Sequence, residues 1–233
     1  TFRTPMFKYC LTLAALICSS RATHVMIATP AYDAQVSSFY AQSLFNTQQA
    51  LNAAGITVSL KMIPNQIVTR ARNILAHGFL HDGVRYSHLL FIDADVMWDP
   101  KAVLALLSHG VDAVAAQYAV KRLHWERMPY VRNPSMLTNG ASVLAEESTL
   151  RTPDGLVRLR WAATGFLLLT RAALERVVPL VEQFKYPFLG NDNAMMANLF
   201  DCRVVDGDYL TEDYSFSDLY HRAGGTIYLD PSI

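Results

Sequence analysis

The stretch HLLFIDADVMWDP, at positions 88–100, constrains the fold more than any other part of the chain. Its apolar run, His88–Ile92, is unbroken and bounded by turn residues, which is typical of a strand buried on both faces of a parallel sheet. Asp99 and the proline after it form the N-cap and first residue of a helix. The pattern therefore predicts Asp93 and Asp95 at the carboxyl end of a central strand, where open α/β sheets bind ligands.

Asp93 and Asp95 are separated by a single alanine. Two carboxylates this close repel each other unless a positive group lies between them, and a hard divalent cation that carries phosphate oxygens fills that role. The first hypothesis is therefore a metal-diphosphate site. The alternative is that the acids only cap the next helix, a role that Asp99 already fills.

Strand and helix signals alternate along most of the chain. The Pro153-Asp154-Gly155 turn indicates a hairpin between two such segments. The pattern predicts an α/β fold with a mixed, mainly parallel central sheet flanked by helices. Strands are predicted at 24–30, 57–63, 88–92, 112–120, 164–170 and 226–230, and helices at 34–54 with Asp33 as cap, from Ile67 to about 83, at 100–109, at 171–184 with Thr170 as cap, and from Thr211 as N-cap to Gly224.

Composition excludes several classes of protein. Twenty basic and twenty acidic residues balance, and the basic ones are scattered, so no nucleic-acid partner is expected. The cysteines are too few for a disulfide framework or a cysteine-rich zinc site. At the start, Lys8, an apolar run and small residues up to Ala22 fit a secretory signal over 1–22, and hence a secretory or extracytoplasmic location. The alternatives are an uncleaved anchor with membrane association, or a buried helix of a cytoplasmic protein.

Two further groups of polar residues are candidates for the site. In the helix from Ile67, Arg70, Asn73 and His77 share a face, from which Arg70 or Arg72 would neutralise phosphate and Asn73 would fix a ribose or base. A solvent-exposed basic face is the alternative. The second group is Glu212 and Asp213 in the first turn of a helix, where the helix dipole alone also favours acids. Lys121, Trp125 and Glu126 in a long polar segment, and the isolated Asp192, are weaker candidates.

Taken in order, these segments resemble the glycosyltransferases of the GT-A fold, especially the family-2-like enzymes and related viral and microbial ones. The features that carry the resemblance are IATPAY, VTRARNILA, LLFIDADV, TGFLLLTR, and TEDYSFSDLYHRAGG followed by IYLDP. The resemblance covers most of the chain from about residue 24. It implies a Rossmann-like GT-A domain over 23–233, with a nucleotide-binding half at about 23–121 and an acceptor half at about 122–233.

The resemblance also implies a reaction and roles for individual residues. The expected reaction is metal-dependent transfer of a sugar from a nucleoside-diphosphate sugar to an acceptor hydroxyl of a glycan, glycoprotein or lipid. Asp213 of the Glu212-Asp213 pair would be the general base of an inverting enzyme. The resemblance implies that Asp95 and Asp93 are ligands of Mn²⁺ or Mg²⁺, with His221 as a third ligand, and that Asp93 also lies near the ribose. It places Thr29, Pro30 and Tyr32 around the base, with Arg70 and Asn73 close by. It places Gly165 and Phe166 by the sugar and acceptor.

Two rival functions remain at this point. A phosphatase of the haloacid-dehalogenase type also carries Asp-X-Asp after an apolar strand and would use Asp93 as nucleophile, but that motif belongs on the first strand and is followed by a threonine. A catalytically silent nucleotide-sugar-binding module would keep the fold without the chemistry.

Overall fold

The computed structural model describes residues 23–118, 142–143, 152, 154–186 and 195–233. The expected N-terminal signal at 1–22 lies outside these residues. So do Lys121, Trp125, Glu126, Pro153 and Asp192.

The centre of the protein is an eight-stranded sheet, with two short two-stranded ribbons beside it. The strands, numbered along the chain, are β1 His24–Ala31, β2 Thr57–Pro64, β3 His88–Ile92, β4 Ala113–Ala116, β5 Ser142–Val143, β6 Val157–Trp161, β7 Phe166–Thr170, β8 Gln183–Lys185, β9 Met195–Ala197, β10 Arg203–Val205, β11 Asp208–Leu210 and β12 Ile227–Asp230. The order in the sheet is β2-β1-β3-β7-β4-β12-β6-β5, and β8 pairs with β9 and β10 with β11.

The sheet is mixed, and six of its eight strands run in one direction. β1 is parallel to β2 and β3, and β4 is parallel to β12. β7 lies antiparallel between β3 and β4, and β6 lies antiparallel between β12 and β5. The hairpin expected around Gly155 is the β5–β6 pair, and Gly155 has the positive φ of 86° that the turn requires.

In the described residues, five α-helices cover the two faces of the sheet. They are α1 Ser38–Ala53, α2 Val68–His81, α3 Pro100–Ser108, α4 Arg171–Val177, continued by a 3-10 turn at Val178–Leu180, and α5 Glu212–Arg222. Alternate residues of β1 point to opposite faces: Val25 and Ile27 pack with α1 and α3, and Met26 and Ala28 pack with the core under α2, α4 and α5. The predicted α/β class, a mainly parallel sheet flanked by helices, is confirmed.

Within the described residues, no helix has both the length and the apolar character needed to cross a membrane.

The helix after β1 begins later than the sequence predicts. Its N-cap is Ser37, whose hydroxyl accepts a hydrogen bond from the Tyr40 N–H at 3.0 Å, and the prediction of Asp33 as cap is wrong. Ala34 has a φ of 54°, and its N–H donates to the Ala31 carbonyl at 2.9 Å. The chain therefore makes a turn at 31–34 before the helix starts. In contrast, Asp99 caps α3 as predicted and accepts from the Lys101 N–H at 2.8 Å.

Two predicted elements are too long. α4 ends at Val177 instead of 184, because Pro179 has no N–H to continue the helical hydrogen bonds, and residues 183–185 instead pair with β9. β4 ends at Ala116 instead of 120. Both errors concern where an element stops, which the periodicity of apolar residues alone does not define.

Candidate functional site

One edge of the sheet gathers the predicted site residues. The carboxyl ends of β1, β3 and β4 meet there because these strands are parallel. β7 is antiparallel to them, so its first residues lie at the same edge, and the Asp93 N–H donates to the Gly165 carbonyl at 3.1 Å. α5 leads into β12, which runs parallel to β4, so the start of α5 also lies at this edge.

A cavity of about 1050 Å³ opens at this edge. Its wall includes the charged side chains of Arg72, Asp93 and Asp95. Polar residues, among them Asp33 and Gln66, also line it. Three lining residues are apolar and exposed: Tyr32, Ile67 and Met97 keep more than half of their surface accessible. The cavity thus has a charged part and an apolar part, as expected of a site for a ligand with an anionic group and a ring system.

A tight turn holds the two aspartates that follow β3. The Val96 N–H donates to the Asp93 carbonyl at 3.1 Å, and the Ser37 N–H donates to the Ala94 carbonyl at 2.9 Å, which ties this turn to the start of α1. The Asp93 side chain is 34% exposed, whereas Asp95 is an exposed residue. Both carboxylates line the cavity.

The fit of a divalent cation depends on the number of oxygen ligands available. In the part of the chain that the structure describes, no three His, Cys, Asp or Glu side chains are grouped as a metal site. Mg²⁺ at phosphate-transfer sites is commonly held by one or two carboxylates, with phosphate oxygens and water as the remaining ligands. Asp93 and Asp95 therefore fit a cation that arrives with a diphosphate, and they do not fit a closed all-protein cage.

His221 is not brought to this pair as a third ligand. Its Nδ1 lies 3.0 Å from the Gly225 carbonyl oxygen and its Nε2 lies 2.9 Å from the Arg160 carbonyl oxygen. Both ring nitrogens are thus used to hold the end of α5 against β6. The structure gives this histidine a role in packing, and the expected metal contact is corrected accordingly.

Arg72 links the two groups of acids. Its side chain is only 5% exposed; Nη2 donates to Oδ1 of Asp93 at 3.2 Å, and Nη1 donates to Oε1 of Glu212. Its Nε is also buried and has no partner among the described residues. A guanidinium shared by two carboxylates joins the turn after β3 to the start of α5. Among the described residues, Asp93 and Asp95 line the cavity, whereas Glu212 and Asp213 lie beyond its lining.

Asp213 is held by its own helix turn. Its Oδ1 accepts hydrogen bonds from the Tyr214 N–H at 2.9 Å and from the Thr211 hydroxyl. Thr211 occupies the predicted N-cap position, but its side chain makes no capping bond to the backbone and donates to Asp213 instead. The carboxylate is half-buried and keeps a fixed orientation.

Tyr118 lines the cavity and lies near acids of both groups, and sequence reasoning missed it. Burial raises the pKa of Tyr118 far above its usual value; the charge of Asp93 adds to this, Arg72 opposes it, and Asp213 again adds to it. Asp93 and Asp213 thus lie within electrostatic range of one phenol ring. The ring packs on Gly165, where a Cβ would overlap it. The available signal was that Tyr118 comes two residues after β4, at the carboxyl edge.

Several expected ligand contacts are not found in the cavity. Thr29 is fully buried, and its hydroxyl bonds to the Tyr40 hydroxyl. Asn73 is also buried: its Oδ1 accepts from the Phe200 N–H at 2.9 Å, and its Nδ2 donates to the Phe200 carbonyl at 3.0 Å. These two side chains hold α1 and the segment after β9, so their expected contacts with the base or ribose are corrected.

The remaining predicted residues lie at or near the cavity. Pro30 and Tyr32 line it, as expected. Arg70 does not; it donates to Gln66 at 3.2 Å, and Gln66 is a lining residue. Gly165 contributes its carbonyl and its close contact with Tyr118, whereas Phe166 lines a second cavity, of about 640 Å³.

Comparisons with known proteins give little further guidance. No family model and no curated protein matches the chain. Among solved structures, the chain is similar to A197 from STIV, at 18% sequence identity and a TM-score of 0.48, over 90% of this chain and 82% of that chain. The α/β, Rossmann-like fold class follows from the strand order and helix packing of the chain itself.

Proposed function

We propose that this protein is a metal-dependent glycosyltransferase of the family-2-like GT-A type. It moves a sugar from a nucleoside-diphosphate sugar to an acceptor hydroxyl of a glycan, glycoprotein or lipid, with inversion. The observation that carries the proposal is the pair of ion contacts from Arg72 to Asp93 and to Glu212, which joins the acids after β3 to the acids that begin α5. A donor site and a base on opposite walls of one cleft are what such a reaction requires.

The donor half of the proposal rests on the cavity. Tyr32 and the neighbouring apolar residues suit the flat face of a nucleobase, and Arg72 suits phosphate oxygens. Asp95 and Asp93 would hold Mn²⁺ or Mg²⁺. Such an ion, when bound, neutralises the charge that develops on the departing nucleoside diphosphate.

Asp213 is the proposed general base. Its Oδ1 is occupied by the Tyr214 N–H and the Thr211 hydroxyl, so Oδ2 is the oxygen that takes the proton of the acceptor hydroxyl. As that proton leaves, the hydroxyl oxygen forms a bond to the anomeric carbon, and the bond from the anomeric carbon to the diphosphate oxygen breaks. Glu212 is held by Arg72, so we assign it a positioning role and no proton transfer.

A thermal-shift screen of nucleotide sugars with and without Mn²⁺ tests the donor site, because a ligand that binds only the folded state raises Tm by mass action. We expect one class of nucleotide sugar to stabilise the protein in a Mn²⁺-dependent way. In Asp95→Ala this shift should disappear while the unliganded protein still folds, since Asp95 is exposed.

Asp99→Ala is the matched control for Asp95→Ala. It removes a carboxylate four residues away that caps α3, so the Tm of the free protein should fall slightly while the ligand-dependent shift remains. An unchanged ligand-dependent shift in Asp95→Ala would exclude the metal role of that residue. The absence of a shift with every nucleotide sugar would overturn the proposed function.

A further inference from the structure

Arg72 is in an uncommon position for an arginine. Its side chain is 5% exposed, and it divides its charge between one carboxylate that follows β3 and one that begins α5. Its Nε has no partner among the described residues. A buried cation is normally fully paired, because an unsatisfied buried polar atom costs free energy. This incomplete pairing suggests that the arrangement serves more than packing.

The oxygen that Arg72 binds on Asp93 belongs to a proposed metal ligand. Arg72 Nη2 donates to Oδ1 of Asp93 at 3.2 Å, and Asp93 lies in the charged part of the cavity together with Asp95. A guanidinium and a divalent cation cannot both approach one carboxylate at no cost, because they repel each other and share its single negative charge. Glu212 provides a second anchor that holds Arg72 when its contact with Asp93 weakens.

We propose that Arg72 competes with the divalent cation for Asp93, and that Glu212 sets the strength of this competition. The inference rests on the proposed function, since it takes Asp93 as a metal ligand. When Asp93 turns to the cation, Arg72 keeps Glu212, and the N–H groups it releases become available to an anionic ligand in the same cavity. Arg72 is thus a positioning residue that couples cation binding on one wall to the acids on the other.

The proposal gives effects of opposite sign for the two partners of one ion pair. Arg72→Met removes the competitor at similar length, so Asp93 is released and Mn²⁺ binds more tightly. Glu212→Gln weakens the second anchor, because the amide oxygen can still accept from Arg72 but carries no charge. Arg72 therefore stays on Asp93, and Mn²⁺ binds more weakly. A purely structural role would weaken Mn²⁺ binding in both variants, because each weakens the same contact.

Two variants separate this competition from a general change of charge. Asp213→Asn removes a negative charge next to Glu212, but Asp213 is bonded to Thr211 and Tyr214 and not to Arg72. Arg70→Met removes a positive charge two residues from Arg72, from a side chain bonded to Gln66. Asp213→Asn should change the Mn²⁺ affinity much less than Glu212→Gln does, and Arg70→Met much less than Arg72→Met does.

Electron paramagnetic resonance of free Mn²⁺, recorded during titration of the full chain, measures this affinity without turnover. We expect the Kd to fall roughly three- to tenfold in Arg72→Met and to rise roughly threefold in Glu212→Gln, with both controls within about twofold of wild type. An unchanged or higher Kd in Arg72→Met overturns the proposal. If the Kd for Mn²⁺ rises equally in Glu212→Gln and Asp213→Asn, the proposal is also overturned, because the effect is then one of charge alone.

Calorimetry with UDP and GDP in the presence of Mn²⁺ gives a second readout. Arg72→Met should bind the nucleoside diphosphate less tightly although it binds Mn²⁺ alone more tightly, because the arginine no longer meets the phosphates. If Arg72→Met does not fold, as thermal melts will reveal, the comparison of Glu212→Gln with Asp213→Asn decides the matter. Wild-type protein that binds neither Mn²⁺ nor a nucleoside diphosphate refutes the proposed function, whereas wild-type binding with unchanged variants refutes only the competition.

Discussion

The two groups of acids in this protein are held in different ways. Asp93 and Asp95 follow β3, and backbone hydrogen bonds to Gly165 and Ser37 fix their turn. Glu212 and Asp213 begin α5, and side chains hold them: Arg72 binds Glu212, and Thr211 binds Asp213. The position of the strand-end acids is thus a property of the sheet, while that of the helix-start acids depends on a few side chains. Substitutions should therefore affect the two regions differently.

The largest expected effect is on the helix-start region. In Asp213→Asn, the amide oxygen can still accept from the Tyr214 N–H and the Thr211 hydroxyl, so the turn should keep its shape. The amide cannot take a proton, and we expect turnover to fall by roughly two to four orders of magnitude, the usual scale for a lost general base. Initial-rate assays of sugar transfer measure this, with donor affinity measured separately by calorimetry.

Asp218→Asn is the control for that substitution. Asp218 lies on the same helix, more than one turn after Asp213, and is paired with Arg203 at 3.0 Å. Its loss should leave turnover within about twofold, the scale of a surface ion pair. Wild-type turnover in Asp213→Asn would remove that residue from the chemistry and leave a binding protein as the better account.

The sequence predicted the strand-end region better than the helix-start region. An apolar run followed by acids gives the position of β3 and of Asp93 directly, because the sheet edge is a property of the strand itself. The insertion of β7 between β3 and β4 was not predicted, since antiparallel pairing of distant segments leaves no local pattern. That insertion brings Gly165 to Asp93, so part of the site depends on topology that periodicity does not reveal.

The choice of arginine on α2 illustrates the same limit. The predicted apolar side of this helix is buried at Ala71, Ile74 and Leu75. Residues two apart on a helix point about 200° apart, so Arg70 and Arg72 cannot serve the same site. Because charged residues are usually exposed, the local pattern does not predict that Arg72 points inward. Its burial is explained only by Asp93 and Glu212, which lie far away in the sequence.

A smaller effect is expected when the strand-end region itself is disturbed. In Gly165→Ala, the new methyl group overlaps the ring of Tyr118, a half-buried side chain at the cavity wall, and the ring must move. We expect a loss of about 2 to 3 kcal/mol in the free energy of unfolding, the scale of overpacking in a core. Urea denaturation measures the loss.

Gly83→Ala is the matched control for Gly165→Ala, because nothing lies within 4 Å of a Cβ at Gly83. It should leave the stability unchanged or raise it slightly, since alanine restricts the unfolded chain. The double variant Gly165→Ala/Tyr118→Ala should lose less than the sum of the two single changes, because the overlap is gone. If the losses of unfolding free energy are strictly additive, the ring of Tyr118 does not require a glycine at position 165. The close packing that holds the strand-end region would then be absent, and this region would be no more rigid than the helix start.

The smallest effect concerns the other end of β3, and it tests whether the strand that carries the acids is a rigid support. Burial lowers the pKa of His88 from 6.5 to about 4, although the charge of Asp112 opposes the shift. The unfolded chain therefore binds a proton at this position between these two values while the folded protein does not, so stability falls as the pH drops from about 6.5 towards 4. Between pH 7 and pH 5 the loss of unfolding free energy from this residue should be about 1 to 2 kcal/mol.

The variant His88→Gln should lose about 1 to 2 kcal/mol less unfolding free energy than wild type between pH 7 and pH 5. A residual slope should remain from His24 and His77, because burial also lowers the pKa of these two residues. An identical slope in wild type and His88→Gln would mean that the start of β3 opens to admit the proton, and the strand could not then be the fixed support that distinguishes Asp93 and Asp95 from Glu212 and Asp213.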